Sequence, residues 1–470
     1  MTLQGALRRR LGPWDGAALI VSNVVGVGIF TTPGIVAAML PGPGAFMGVW
    51  FLGGVLALIG GVVYAELGGA YPEAGGEYVY IRQAFGRGAA FLSGWTSLVA
   101  GFAGAIAAAA VAFAIYLGRI VPALSSDVAL AGLSLGPLGV ALTPRRLVAL
   151  ALIALLTLVH VRGLTPGRRV QNTLAALSVA TIVALVGLGL TLSGGSPPML
   201  QWPDAPASGG GPFLALILVM FTYSGWNAAA YVAGELRTPA RTLHAAVLGG
   251  TLAVMALYLG LNLLYLRTVP FAALDGSAAV ADAAAGQVFG PWSEGLVACV
   301  VALALASGVS AMLLAGPRVY FAMAGDGVLP RAFGRVRLPA GVPACSVAAQ
   351  ALWAGALVVT GSFENLLTYT GFAVVLFSGA AVASLFVLRR RPEYRRRPAV
   401  RAWGYPWAPL LFLAASAAML IQAIRFAPGP SLAGAGLIAA GIPFYLWTRS
   451  RPGRVGPEAA GGSSPSGELP

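Results

Sequence analysis

VVGVGIFTTPG, from Val24 to Gly34, and FTYSGWN, from Phe221 to Asn227, decide how this chain folds. Both lie inside long apolar stretches, and both put glycine and polar residues where a membrane helix would be at mid-depth. Main chain that is not helical is tolerated inside hydrocarbon only where it faces protein or a water-filled cavity. Glycine permits such a break because it carries no Cβ and lets a ligand approach the backbone. Taken singly, these glycines fit close helix packing equally well, and the chain has 64 glycines. Their pairing separates the readings: matched Gly-interrupted segments in two halves of a chain point to a transporter's binding site.

The surrounding sequence puts both segments in a membrane. Of 470 residues, 58% are hydrophobic and 9% charged, against roughly 25% charged in soluble domains. Apolar runs such as Phe46 to Tyr64 and Leu147 to Val159 recur along the chain, and about 20 such residues cross a bilayer core. They predict an all-α membrane protein of twelve transmembrane helices, at about 15–40, 43–71, 88–118, 147–164, 172–193, 212–236, 244–267, 291–324, 343–361, 366–388, 405–426 and 431–448. The breaks fall in the first and sixth. An offset of five turns the second copy upside down relative to the first, so 15–193 and 212–388 read as a five-plus-five inverted repeat. A 1–14 segment precedes it, and two further helices follow at 405–448. The 450–470 tail is rich in Gly, Pro and Ser and is expected to be disordered.

Between the spans, 76–86 predicts a short amphipathic helix and 277–289 a small outer helix. The stretch 128–142 is apolar but short and holds Gly136-Pro137, which predicts a loop dipping toward the interface.

A net charge of +14 would suggest nucleic acid in a soluble protein, but no basic groove interleaved with aromatics occurs, and no nucleic acid is expected. The arginines lie between spans. One side gathers Arg8–Arg10, Arg82, Arg87, Arg162, Arg168, Arg169, Arg237, Arg241 and the cluster Arg389–Arg401; the other keeps Arg119, Arg145, Arg146, Arg267 and Arg425. The positive-inside rule then puts both termini in the cytoplasm of a multi-pass protein of the cell (inner) membrane. The first apolar run is long and lacks a small-residue cleavage site, so it is expected to stay as a span. Cys299 and Cys345 are expected as buried apolar residues without a disulfide.

A broken helix shows N–H groups at the start of one half and C=O groups at the end of the other. The first binds a carboxylate and the second an ammonium, so an α-amino acid is recognised without a charged side chain. An enzyme is not indicated. The only histidines are His160 and His244, and no H-E-x-x-H, paired intramembrane Asp or G-x-S-x-G occurs. No cofactor or metal set is expected. A channel would want a continuous lined pore, and a non-transporting sensor of the same fold would share every feature above.

At these residues the chain resembles the amino acid–polyamine–organocation (APC) superfamily, most closely its L-type amino acid transporter branch. GVGIF (Gly26–Phe30) is similar to the family's first-span motif. YAELGGAYPEAGGEYVY (Tyr64–Tyr80), FTYSGWNAAAYVAGELRTPARTL (Phe221–Leu243) and RVYFAMAGDGVLP (Arg318–Pro330) are similar to its second-span exit, sixth span and eighth-span end. The resemblance implies a LeuT-like fold and amino acid transport by alternating access, as an exchanger (antiporter) or symporter. It implies backbone N–H groups of Val27 and Gly28 on the substrate carboxylate. Carbonyls of Val24, Phe221 and Ser224, beside Gly225, would take the amino group, and the Phe221 ring would close over the substrate. A lipid- or core-facing Phe221 is the plain alternative.

Four differences from relatives carry consequences. Val27 replaces a hydroxyl residue. Ser178 stands where many relatives place a lysine, and Ser307 and Ser310 lie three apart on one helix face. Ser178, Ser307 and Ser310 would form an ion site, since hard cations prefer oxygen; bonding to their own helix backbone is the plainer alternative for the latter two. Sodium and proton coupling both remain open. The 119–146 loop has no cysteine, so no disulfide-linked heavy chain is expected. Ser224 adds bulk that favours small or medium neutral amino acids. A polyamine or amine exchanger would need an acid facing the cavity, and none is identified; Glu66 and Glu235 are expected as structural partners of Arg82, Arg237 or Arg241.

Overall fold

The computed structural model describes residues 7–449 except 136–137, 194–210, 275, 278–279, 338, 362 and 427; in the rest of 132–141, at 363–370 and at 449 it describes backbone alone. The predicted disordered tail lies outside the described residues. The first predicted span is two helices, α1 (Pro13–Val24) and α2 (Gly28–Ala37), bent by 52°. Next come α3 (Pro43–Ala70) and the short α4 (Glu77–Phe85), which Gly86, at φ +89°, separates from α5 (Arg87–Thr96). A π turn at Ser97–Gly101 joins α5 to α6 (Phe102–Ile120). After α7 (Pro144–Arg162) and α8 (Leu164–Leu192), the sixth predicted span is α9 (Gly211–Thr222), a non-helical turn and α10 (Ala228–Tyr231). Then follow α11 (Pro239–Thr268), α12 (Phe271–Leu274), the predicted small helix α13 (Val280–Phe289), and α14 (Ser293–Ala315) kinked into α15 (Pro317–Gly325). The last are α16 (Ala344–Thr360), α17 (Phe363–Arg389), α18 (Trp407–Phe426), α19 (Pro428–Ala439) and α20 (Gly441–Arg449).

Proline heads α1, α3, α7, α11 and α15, where its missing N–H is an orphan in any case. Two sets of expected boundaries shift. The helices α8 and α11 start at Leu164 and Pro239, well before the apolar runs at 172 and 244. Hydropathy stops where charge begins, whereas the helix runs on past the hydrocarbon. The expected loop at 128–142 is instead an antiparallel hairpin of β1 (Ala131–Leu135) and β2 (Leu138–Leu142), with Ala131 opposite Leu142 and Leu135 opposite Leu138.

Among the described residues nine helices are long and apolar enough to cross a membrane, or ten if α1 and α2 are one bent span. The shorter apolar helices α9 and α16 coincide with the sixth and ninth predicted segments. Burial sorts inner from outer elements. An 18-residue apolar window is 78% buried in Val280–Gly325 but only 17% buried in Trp407–Phe426. Phe51, Leu155, Leu158, Leu352, Ile421 and Leu432 point outward, a surface that suits lipid and would associate in water. Cys299 and Cys345 are free, but both are exposed on the outside of the bundle and not buried as expected. Apolar composition alone does not say which side of a span faces its neighbours.

Helix pairing exchanges under a shift of five spans. The contact of α3 with α9 is matched by α11 with α1, that of α6 with α16 by α14 with α7, and that of α8 with α14 by α17 with α6.

The Arg-rich end is cross-linked by ion pairs. Arg318, 1% exposed, donates from Nε to Glu235, 0% exposed, at 2.7 Å, and from Nη1 to the Leu314 carbonyl at 2.6 Å. Glu66 takes Arg389, the Tyr394 hydroxyl and the Ala402 N–H. Arg82 binds Asp326 at 2.7 Å and Glu73 at 2.6 Å. Glu66 and Glu235 are therefore structural, but their partners are Arg389 and Arg318, not the sequence neighbours expected. Removing one partner of a buried pair leaves an uncompensated charge, at about 3–5 kcal/mol. Glu235→Gln is expected to lower the melting temperature of the detergent-purified protein markedly, and Glu73→Gln, at a side chain 30% exposed, much less; a fluorescence melt compares them.

Candidate substrate site

Segment α1 ends at Val24 and α2 begins at Gly28, leaving Val25, Gly26 and Val27 between them. Val25 still donates to Val21 at 2.8 Å, but among the described residues the amides of Gly26, Val27 and Gly28 donate to no protein acceptor. An added Cβ on Gly26 would meet nothing within 4 Å, so this amide edge borders open space. Buried main-chain donors ordinarily have partners; here the start of α2 offers a cluster of open ones, with the helix dipole behind them.

The second break abuts the first. Gly225 has φ +113°, a conformation that L side chains rarely adopt, and a Cβ there would lie 2.8 Å from the Asn23 carbonyl oxygen. A Cβ on Gly28 would come within 3.1 Å of Thr222 Cγ2. Two glycines thus let the unwound segments touch. Tyr258 of α11 holds them together: its hydroxyl lies 2.9 Å from the Val24 carbonyl and 3.1 Å from the Thr222 carbonyl, the last residues of α1 and α9. Trp50 and Tyr223 pack around that ring, with centroids 5.7 and 4.9 Å away.

A cavity of about 230 Å³ opens beside the second break. That is smaller than the roughly 300–1,000 Å³ of sites for drug-sized ligands, and fits a small solute. Phe221, Ser224 and Gly225 line it with Asn23 and Asn227. Phe221 is 53% exposed and sits toward Gly371, so it is not a core residue. Val24, Val27 and Gly28 are not in its wall. The carbonyls of Val24 and Phe221 each already accept a donor, from Tyr258 at 2.9 Å and from the Ser224 N–H at 3.0 Å, whereas the Ser224 carbonyl accepts none among the described residues.

Among the described residues the three serines form no hydrogen bonds with one another. Ser307 is 2.6 Å from the Ser22 hydroxyl, which takes Gln171 Nε2 at 2.8 Å, and Ser310 is 3.0 Å from His160 Nε2. Both hydroxyls bond neighbouring helices; among the described residues neither bonds its own helix backbone. Ser178 is buried, and its carbonyl takes the Thr181 hydroxyl at 3.0 Å.

Two residues central to the site were not anticipated. Tyr258 sits in an unremarked apolar helix, and nothing in its sequence neighbourhood marks it. Glu77 supplies the one charged side chain in the cavity wall among the described residues, where no cavity acid was expected. It belongs to the predicted amphipathic helix α4, whose first turn folds inward, burying Glu77, Tyr78, Val79, Tyr80 and Ile81.

The profile of the amino acid permease family matches residues 11–447. This chain belongs to that family. As an amino acid permease it is 28% identical over 400 residues to the b(0,+)-type amino acid transporter 1 of Oryctolagus cuniculus, covering 84% of this chain and 78% of that protein. To the large neutral amino acids transporter small subunit 2 of Mus musculus it is 27% identical over 455 residues, covering 94% and 81%. The permease match includes both breaks, and the resemblance drawn from the motifs holds, to the L-type and b(0,+) transporters in particular.

The Tyr258 hydroxyl spans both breaks, so Tyr258→Phe frees two buried carbonyls while keeping the ring. A lost buried hydrogen bond costs about 1–3 kcal/mol. The permease is expected to stay folded but bind substrate about tenfold or more weakly, measurable as a smaller ligand-induced rise in melting temperature.

Proposed function

We propose that the protein is a secondary active transporter of neutral amino acids that works by alternating access in the cell membrane. The observation that carries this is the cluster of open amides at Gly26, Val27 and Gly28, held against the second break beside a small cavity. Such amides with a helix dipole behind them suit a carboxylate, and the open Ser224 carbonyl suits an ammonium. The relatives' names, amino acid transporters both, agree with this chemistry.

The finer architecture belongs to the same proposal: twelve spans, a five-plus-five LeuT-like repeat, and cytoplasmic termini. The exchange of helix pairings under a five-span shift supports the repeat, and the distribution of arginine supports the orientation. Exchange and symport are both compatible with the site. Ser22 and Ser307, whose hydroxyls lie 2.6 Å apart, would offer a sodium ion two oxygens, with Ser178 and Ser310 as further candidates. An amine exchanger is disfavoured, because the cavity acid Glu77 is 8% exposed and its carboxyl already takes the Tyr64 hydroxyl.

The test is uptake of radiolabelled L-leucine and L-alanine into proteoliposomes, preloaded and empty, with and without sodium. Gly26→Val is the informative variant, since a Cβ there meets nothing within 4 Å. Binding and uptake are expected to fall about tenfold or more with an unchanged melting temperature. Undiminished uptake by that variant would remove the amide site from the mechanism.

A further inference from the structure

Glu77 stands at the head of α4, outside the membrane-spanning helices, yet its side chain is buried in the wall of the cavity beside the second break. Among the described residues its carboxyl is held without any cation. The Tyr64 hydroxyl of α3 donates to Oε2 at 3.0 Å, and the Tyr231 hydroxyl of α10 stands beside the same carboxyl and favours its ionised form. Tyr231 in turn receives Asn227 Nδ2 at 3.2 Å, and Asn227 is the last residue of the second break. A chain of three polar side chains therefore runs from the carboxyl to the unwound main chain that lines the site. The Gly75 N–H adds a bond to the Tyr231 carbonyl at 3.0 Å, fastening the approach to α4 to the same residue.

We propose that Glu77 is a proton-binding site on the transport path, and that its protonation is coupled to amino acid movement through Tyr231 and Asn227. The proposal rests on the amino acid transport reading above. Protonation takes one H⁺ from cavity water onto a carboxylate oxygen on one side of the membrane. Its release to water on the other side completes a one-proton symport. Ionised, the carboxylate can only accept; protonated, it gains an O–H donor, which the Tyr231 hydroxyl beside it can accept. Through Tyr231 that change reaches the break.

The surroundings favour the neutral form. Burial pushes the Glu77 carboxyl up to about 7, with the two tyrosine hydroxyls pulling the other way. The charged groups on adjoining elements are otherwise engaged. Arg82 of α4 is bound by Glu73 and Asp326, and Asp326 beyond α15 also takes the Tyr78 hydroxyl. Arg318 of α15 is bound by Glu235, and Arg389 at the end of α17 by Glu66. Arg87 heads α5, and the ring of Tyr80 on α4 lies nearby. None forms an ion pair with Glu77 among the described residues.

Two measurements test the proposal. In detergent, a raised carboxyl makes the folded state bind its proton more tightly than the unfolded state, so stability falls as pH rises from about 4.5 through about 7. The melting temperature of the wild type is expected to fall over that window relative to Glu77→Gln, which has no proton to lose; parallel curves for the two proteins would overturn titration at this residue. In proteoliposomes, uptake of L-alanine with an inward-acid gradient is compared with uptake at matched pH. The wild-type ratio is expected to rise toward about tenfold per unit of gradient at equilibrium. It should collapse to one in Glu77→Gln and return, with a shifted midpoint, in Glu77→Asp.

A ratio unaffected in Glu77→Gln overturns the coupling. So does the loss in that variant of arginine or putrescine binding alone, which would make Glu77 a counter-ion for cationic solutes. Counterflow of L-alanine at matched pH keeps the two readings distinct. Its absence in the wild type would sink amino acid transport, and with it the coupling, whatever the melting curves say.

Discussion

Main-chain groups released from a helix inside a low-dielectric interior must be partnered, and this requirement organises the molecule. The ends of α1 and α9 show how it is met. Their last carbonyls share one tyrosine hydroxyl, on a helix that belongs to neither broken span. The donors on the other side of the first break are left open beside space that no side chain fills. Carbonyls satisfied and amides unsatisfied make an asymmetric site. The asymmetry favours an anion at the first break, which a zwitterion supplies with its carboxylate.

Both breaks meet in one aromatic packing of Trp50, Tyr223 and Tyr258, with edge and tilted ring contacts. The second runs on into charge. Beyond Tyr231 the chain turns through Ala233–Glu235, where the Glu235 carboxylate binds Arg318 and its carbonyl takes the amides of Arg10 and Leu11 at 2.9 Å. Aromatic packing is insensitive to salt and pH, whereas the hydrogen-bonded and ionic end responds to both. An element that must rearrange is more readily released at the polar end, where water can replace each bond that is broken.

Much of this was legible before any coordinates. Gly26, Gly28 and Gly225 gave away the breaks because glycine is where the chain's conformational freedom is written, and the mid-span placement said why that freedom was needed. Periodicity located the small helices α4 and α13 for the same local reason. What stayed hidden depends on distance in space. Tyr258 is one aromatic in an apolar helix until α11 packs between the breaks. Glu77 reads as a polar residue at the start of an amphipathic helix until the first turn of α4 folds under the bundle. The partners of Glu66 and Glu235 lie 323 and 83 residues away, beyond any pattern of spacing. The serines Ser307 and Ser310 share a helix face yet serve different neighbours, Ser22 and His160, because two helices divide that face between them.

The location of Glu77 bears on why an acid can be afforded in an otherwise uncharged cavity. A carboxylate at the centre of the hydrocarbon would need a cation or a proton at all times. At the head of α4 it is near the Arg-rich end, buried by side chains more than by membrane depth, with the Tyr64 hydroxyl bonded to it and the Tyr231 hydroxyl beside it. An amino acid bound by main chain alone needs no help from that charge. A group that neither neutralises a cation nor closes an ion pair, yet touches the break through two hydrogen-bonded neighbours, is placed to report its own protonation to the site. Were it merely structural, a glutamine oxygen could accept the same hydroxyl without burying an ionisable carboxyl, and among the described residues the cavity wall would hold no acid.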